Sequence, residues 1–140
     1  MQLTIHTDGG ARGNPGPSAI GVVVHDEKLN IVHEHKAFLG TKTNNEAEYE
    51  ALLYATEWLS RFQTTQSVQR CIFLLDSLLV VSQVKRQWKV KEARLLSYQQ
   101  KITQIFSSLP FPCEIKHVPR EDNSEADALV NQSLDEATRN

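Results

Sequence analysis

Four acidic residues that are far apart along the chain occupy positions at strand ends or on helices where they could converge on one site: Asp8, Glu48, Asp76 and Asp127. Carboxylates that converge repel one another and raise each other's pKa values, a penalty that a divalent cation would remove. Oxygen ligands alone suit a hard cation, Mg²⁺ or Mn²⁺, better than zinc. A pair of such ions can activate a water molecule and stabilise a leaving oxygen, so the four residues indicate phosphoryl-transfer chemistry.

Asp8 is expected at the end of a first strand, in which Leu3 and Ile5 alternate with polar residues. Glycine and proline are frequent in residues 9–16, so we expect the strand to stop at Asp8 and the chain to turn there. A rigid strand would then hold one carboxylate, with backbone N–H groups and Asn14 just beyond it. The alternative is a turn residue that caps its own backbone.

Glu48 lies in a helix predicted over residues 43–62, which begins with the capping-box spacing of Thr43 and Glu46. The helical rotation of about 100° per residue places Glu48 on the arc that faces the core. A glutamate there is unfavourable unless it is paired, hydrogen-bonded or bound to a cation. The alternatives are a side chain that reaches water or that pairs with a lysine. The acids predicted to face solvent are Glu46, Glu50 and Glu57.

Asp76 ends the apolar run 72–75, which is typical of a strand buried on both faces. If this strand lies parallel beside the first one, Asp8 and Asp76 emerge at neighbouring strand ends. Asp127 falls in the first turns of a final helix that starts at residues 122–124, where the helix dipole favours an acid. A turn residue and an ordinary helix-start acid are the alternatives for these two positions.

The remaining pattern predicts the elements that position these acids. A run at 19–24, a hairpin connection at 26–30 and a strand at 31–39 extend the first strand into an antiparallel meander. A short helix at 78–84 capped by Ser77, a helix at about 93–107 and a fifth strand at 114–118 follow the buried strand. The order β-β-β-α-β-α-α-β-α predicts an α/β fold with a five-stranded mixed sheet flanked by helices.

The length of 140 residues predicts one domain over residues 1–140, and the composition, 40% hydrophobic and 23% charged, is ordinary. No apolar run approaches about 18 residues and no signal pattern opens the chain, so we expect a cytoplasmic protein without a membrane span. The net charge of −2 differs from the positive charge that is typical of nucleic-acid binding domains. Cys71 and Cys113 are expected to be reduced thiols, with a disulfide as the alternative, and the hairpin histidines are expected to be exposed.

Four segments in this order resemble the signature blocks of type 1 ribonuclease H: TDGGARGNPG, TNNEAEYEAL, LLDS and HVPREDNSEADALVNQ. The resemblance covers nearly the whole chain. It implies a five-stranded mixed sheet flanked by helices, and endonucleolytic cleavage of the RNA strand of RNA–DNA hybrids that leaves 5′-phosphate and 3′-hydroxyl ends. It also implies a duplex as the partner, with no obligate protein partner and no membrane.

The resemblance assigns roles to the four acids. Asp8 is expected to bridge two Mg²⁺ ions, for which Mn²⁺ can substitute. Glu48 and Asp76 are expected to hold the ion on the leaving-group side, and Asp127 the ion that activates the attacking water.

The resemblance also implies substrate contacts. Gly10, Asn14, Asn44 and Asn45 match positions that touch the minor groove and read RNA 2′-hydroxyls, which distinguish RNA from DNA. Thr43 resembles a residue that contacts a DNA-strand phosphate, although its capping role alone would explain it.

The chain departs from the pattern of many bacterial members in three places. Arg120 stands where they place a loop histidine, as in archaeal-like relatives, and an arginine can contribute only charge. Arg120 is therefore expected to be a substrate contact and not a general acid. Leu78 replaces a common glutamine, which removes one minor-groove contact. The long basic protrusion is missing, and its nearest counterpart holds Lys85, Arg86, Trp88 and Lys89. This stretch is either a set of phosphate contacts or a solvated connector.

Two alternatives to a hybrid-cleaving enzyme stay open. One is a non-catalytic nucleic-acid binding module with the same fold, against which the retention of all four acids argues. The other is a related nuclease that acts on double-stranded RNA or on DNA junctions, because amides that read 2′-hydroxyls do not exclude an RNA–RNA duplex.

Overall fold

A five-stranded mixed sheet organises the chain, and the computed structural model describes it over residues 1–139. The strand order is β3-β2-β1-β4-β5, in which β2 pairs antiparallel with β1 and β3, and β4 pairs parallel with β1 and β5. This confirms the predicted fold class. The elements are β1 (Gln2–Ala11), β2 (Gly16–His25), β3 (Ile31–Lys42), α1 (Asn44–Phe62), β4 (Arg70–Leu75), α2 (Leu78–Val84), α3 (Ala93–Ser108), β5 (Cys113–His117) and α4 (Ser124–Thr138), with a 3₁₀ turn at Arg120–Asn123 before α4.

The main core lies between the sheet and the helices α1, α2 and α3. Ile5 of β1, Leu52 and Leu59 of α1, Phe73 of β4 and Ile102 of α3 are all fully buried there. Removing side chains of this size from water stabilises the fold by about 1.5–3 kcal/mol each. A smaller cluster of Ala19, Val130 and Leu134 seats α4 on the other face.

The prediction that the first strand stops at Asp8 is wrong. β1 continues to Ala11, and Gly9 and Gly10 pair with Ile20 and Ala19 of β2. The physical reason is close packing, because a Cβ at Gly9 would lie 2.2 Å from the carbonyl carbon and oxygen of Ala47 in α1. Glycine at position 9 therefore lets a helix approach the strand and does not mark a turn.

The start of α1 forms the predicted capping box. Thr43 Oγ1 accepts from the Glu46 backbone N–H at 3.1 Å, and Glu46 Oε1 accepts from the Thr43 N–H at 3.0 Å. Glu46 is consequently buried, not on the solvent side as predicted, and Arg94 approaches its carboxylate at 3.6 Å. Ser77 caps α2 as expected, through a bond from the Val80 N–H.

The expectation that the hairpin histidines His25, His33 and His35 are exposed is also wrong. The side chain of His25 is only 13% exposed. The other two, His33 and His35, belong to β3. Both are half-buried against α1, where the His35 ring stacks on Tyr54 with centroids 3.9 Å apart. His33 stacks on Trp58 at 5.0 Å, and its Nε2 lies 2.7 Å from the Tyr54 hydroxyl. Period-2 alternation indicates which residues share a strand face, but it does not show that a helix covers that face.

Cys71 and Cys113 are direct partners in the β4–β5 pairing, and both are free thiols. Burial raises the pKa of both, that of Cys113 to about 11. Across residues 1–139, none of the helices combines the length and the hydropathy that a membrane crossing requires.

Candidate active site

Three carboxylates meet at one edge of the sheet. Asp8 in β1, Glu48 in α1 and Asp76 just after β4 each offer an oxygen within 4.8 Å of the other two. The parallel pairing of β1 with β4 ends at Thr7 and Leu75, so the next residue of each strand emerges at the same place. The close contact of α1 with Gly9 brings Glu48 down onto them. Strand pairing and helix packing together build the cluster.

Glu48 is the most confined of the three acids. Its side chain is buried, Oε1 accepts from the Gly9 N–H at 2.7 Å, and Oε2 is buried without a hydrogen-bond partner in the described chain. Burial raises the pKa of Glu48 well above its usual range, and the neighbouring charge of Asp8 raises it further. A buried carboxylate oxygen with no donor is unfavourable unless a cation or a proton meets it.

Asp8 shares this environment. Burial raises the pKa of Asp8 to about 7, and the charges of Asp76 and Asp127 act in the same direction. Full ionisation of these carboxylates is therefore energetically unfavourable near neutral pH. An oxygen-only donor set with one unpartnered oxygen fits a hard divalent cation.

Asp127 borders the cluster without being part of the close group of three. It projects from α4, half-buried, and one of its oxygens lies 3.7 Å from the Arg120 guanidinium. Its other oxygen accepts from Asn131 Nδ2 at 3.4 Å. The four predicted acids thus share one cleft of about 530 Å³, which Arg12, Asn44 and Arg120 also line.

Two of the predicted substrate residues are tied together beside the cleft. Asn14 Oδ1 accepts from the Asn44 N–H at 3.0 Å, and Asn44 Oδ1 accepts from the Ala11 N–H at 2.8 Å. These bonds join the β1–β2 turn to the start of α1. Gly10 also lines the cleft, whereas Asn45 lines a separate groove.

Thr43 and Arg120, two further predicted contacts, differ in how they are held. Thr43 is engaged by its capping bonds, and its hydroxyl has no other hydrogen-bond partner among residues 1–139. Arg120 has an 80% exposed side chain, and within residues 1–139 its guanidinium forms an ion pair with Asp127 alone. Arg120 is therefore free to move toward a bound molecule.

The basic stretch after α2 does not form one surface. Trp88, 45% exposed, and Lys89 line a groove of about 530 Å³ that Asn45 also borders. Arg86 lines a different groove, against α3, and Lys85 is exposed at the end of α2. Of the four residues predicted as phosphate contacts, two face the groove next to the cleft.

Three residues at the site were not predicted: Arg12, Asn123 and Asn131. Asn131 could have been found from the sequence, because it lies four residues after Asp127 and residues at this spacing are neighbours on a helix. Arg12 contacts Asp135 at 2.8 Å and Asn131 at 3.4 Å, which links the β1–β2 turn to α4. Asn123 bonds to Thr7, a contact across 116 positions that no local pattern indicates.

Comparison with known proteins gives a consistent family assignment. A family model described as reverse transcriptase-like matches residues 6–133. LC11-RNase H1, from a compost metagenome, was crystallised in complex with RNA/DNA hybrid. That structure superposes with a TM-score of 0.90 and 45% identity over 96% of this chain and 98% of that one.

Two curated relatives extend the comparison. A bifunctional protein of Mycobacterium tuberculosis is 37% identical in an alignment 141 residues long, which covers 99% of this chain but 37% of that protein. Ribonuclease HI of Halobacterium salinarum is 37% identical over 130 residues, 93% of this chain and 63% of that protein. The chain thus spans less than two thirds of the length of these relatives. With the sheet order, the acidic cleft and these matches in agreement, the chain belongs to the type 1 ribonuclease H family.

Proposed function

We propose that this chain hydrolyses the RNA strand of RNA–DNA hybrids and leaves 5′-phosphate and 3′-hydroxyl ends. The observation that carries the proposal is the meeting of Asp8, Glu48 and Asp76 within 4.8 Å, with Glu48 Oε2 unpartnered beside an open cleft. Without a bound cation, the repulsion between these carboxylates destabilises the protein. With divalent ions bound, the same carboxylates can hold the ions next to a phosphodiester.

We assign the metal as Mg²⁺, in two sites, with Mn²⁺ able to substitute. Asp8 would contact both ions, Glu48 and Asp76 would hold the leaving-group ion, and Asp127 would hold the other. When bound, the ions supply an activated water and stabilise charge on the leaving oxygen. Gly9 contributes by fixing Glu48 through its N–H, so the carboxylate is oriented before any ion arrives.

Recognition of the RNA strand is assigned to Asn14 and Asn44. Each uses its side-chain oxygen as an acceptor for a backbone N–H, which also fixes the orientation of the amide. Each Nδ2 therefore remains available to donate to a 2′-hydroxyl oxygen at the cleft. Gly10, which lines the cleft, and Asn45, which borders the neighbouring groove, are assigned to the same RNA strand.

Phosphate contacts are assigned first to Trp88 and Lys89, which face the groove that Asn45 borders. An exposed indole and an ammonium group suit a nucleic-acid backbone. Arg120 adds positive charge at the cleft, and Thr43 remains a proposed phosphate contact at the start of α1. Lys85 and Arg86 have weaker support because neither lines this groove.

The deciding experiment uses end-labelled duplexes of one sequence as RNA–DNA hybrid, double-stranded RNA and double-stranded DNA, each with Mg²⁺ and with EDTA. The expected result is Mg²⁺-dependent cleavage of the RNA strand of the hybrid, with 5′-phosphate on the products. Preferential cleavage of double-stranded RNA would support the related-nuclease alternative. Binding without cleavage would support the non-catalytic module.

The same assay with purified protein tests the expectation that no obligate protein partner is required. The cytoplasmic location predicted from the sequence would be tested by cell fractionation.

A further inference from the structure

Asn123 directly precedes α4, but its side chain does not cap the helix. An asparagine there normally uses its side-chain oxygen to accept from an N–H in the first helical turn. Asn123 makes no such bond, although its side chain is fully buried. Instead, Nδ2 donates to the backbone oxygen of Thr7 in β1 at 2.9 Å.

This bond joins the segment that carries Asp8 to the segment that carries Asp127, and both acids line the same cleft. Thr7 directly precedes Asp8, and Asn123 lies about one helical turn before Asp127. Thr7 is also the last residue of β1 to pair with β4. The bond is therefore located at the strand ends where the carboxylates meet. Because it is shielded from water, breaking it would leave a buried donor unsatisfied.

The free oxygen of Asn123 strengthens the inference. Oδ1 is buried without a hydrogen-bond partner in residues 1–139, and a flipped amide would place this oxygen against the carbonyl of Thr7. A buried acceptor without a donor is unfavourable for stability. Local departures of this kind are expected where a side chain serves the geometry of a site.

The polar contacts that the Asp127 side chain makes with Arg120 and Asn131 are more exposed and longer than the bond from Asn123 to Thr7. Arg120 lies 3.7 Å from it with 80% of its side chain exposed, and Asn131 is exposed at 3.4 Å. The apolar seat of α4, which includes Val130 and Leu134, resists separation from the sheet but not a small slide along it. Asn123 thus supplies the buried directional contact at the start of α4.

We propose that Asn123 is a positioning residue that holds Asp127 at the separation from Asp8 that divalent-metal binding requires. The inference rests on the proposed function, because it takes Asp127 to be a metal ligand. It does not require Asn123 to touch the metal or the duplex.

The test is Asn123→Ser, which keeps a hydroxyl able to cap α4 but is too short to reach Thr7. Mg²⁺ binding by calorimetry is expected to weaken about 10- to 100-fold, as for other residues that orient metal ligands. The kcat on hybrid is expected to fall while KM for the duplex stays unchanged, and excess Mg²⁺ should restore part of the rate. Asn123→Thr serves as the second variant if the serine protein does not fold.

The matched control is Ile102→Val, in the core of α3 and remote from the cleft. It should lower the melting temperature without changing Mg²⁺ affinity. Asp127→Asn completes a double-mutant cycle, in which Asn123→Ser should add little to the loss already caused by Asp127→Asn. Parental Mg²⁺ affinity in Asn123→Ser, or multiplicative losses in the cycle, would overturn the positioning role.

The two proposals fail in different ways. A parent protein that binds Mg²⁺ but does not cut the hybrid would refute the proposed function, while the calorimetric comparison would still decide the role of Asn123. A parent that does not bind Mg²⁺ would overturn both.

Discussion

The backbone N–H of Gly9 donates to Glu48 Oε1 at 2.7 Å, and the same glycine lies directly against the backbone of α1. One residue therefore sets both the distance between strand and helix and the orientation of a central carboxylate. A Cβ at position 9 would lie 2.2 Å from atoms of the Ala47 carbonyl group, which no side-chain adjustment can relieve.

Gly9→Ala is expected to destabilise the fold by about 1–3 kcal/mol and to abolish most of the cleavage activity, because α1 must move away and carry Glu48 with it. Thermal unfolding and the hybrid assay measure the two effects. Gly10→Ala is the control for stability, since its Cβ would meet only a Val130 methyl group at 3.6 Å. Equal melting temperatures for the two variants would contradict the packing argument.

Asp8→Asn is expected to reduce cleavage at least 10³-fold, because the residue common to both proposed metal sites would lose its charge. Without metal, the same variant should melt at a higher temperature, since a buried repulsion is relieved. A gain of about 1 kcal/mol corresponds to roughly 3 °C for a domain of this size. Glu57→Gln, an exposed neutralisation on α1, is the control and should change neither property.

Stability should respond to pH through the ring stack of β3 and α1. Burial lowers the pKa of His33 and of His35 below the usual value of about 6.5. The unfolded chain then binds protons at a higher pH than the folded chain. This contribution to the free energy of unfolding is therefore present above about pH 6.5 and is lost as the pH falls toward the folded-state values.

His35→Phe keeps a ring on Tyr54 and removes one titrating group. The raised pKa of Asp8 acts in the opposite direction over the same pH range, so the informative quantity is the difference between variant and parent. Urea unfolding between pH 5 and pH 8 should show the variant gaining stability relative to the parent as the pH falls. A constant difference would exclude His35 as a contributor.

The groove beside Asn45 should contribute a salt-dependent part of substrate affinity. Lys89→Ala is expected to lower the slope of log affinity against log salt by about one, and Trp88→Ala to weaken hybrid binding by about 1–3 kcal/mol. Binding is measured in Ca²⁺ or with an inactive Asp8→Asn background. Lys101→Ala, an exposed lysine on α3, is the control. Unchanged slopes for Lys89→Ala would reassign this stretch as a solvated connector.

Cys71 and Cys113 should resist thiol reagents in the folded protein. Burial raises the pKa of both, so little thiolate forms near neutral pH, and Cys71 is the more enclosed of the two. Reaction with a disulfide reagent should be slow before denaturation, faster at Cys113 than at Cys71, and complete at both afterwards. A protein that shows no free thiol after denaturation would indicate that the pair is oxidised.

Short-range physics explains what could be predicted from the residues alone. The order of elements, the capping box at Thr43 and Glu46 and the Ser77 cap follow from periodicity and from hydrogen bonds within a few residues. Glu48 stood out because a carboxylate on a core-facing arc is unfavourable without a partner. The family resemblance then supplied roles that physics alone left open.

Tertiary packing decided the rest. The continuation of β1 through Gly9 depends on where α1 lies, and the half-burial of His33 depends on the aromatic side chains of α1. Arg86 and Trp88 are neighbours in the chain but face different grooves. The bond from Asn123 to Thr7 spans 116 positions. The sequence by itself determined which residues needed partners, because helical and strand periodicity shows where a charge would face the core and where a helix end needs a cap. Only the folded chain decided which partners they have, because contacts between distant segments are set by how the sheet and helices pack.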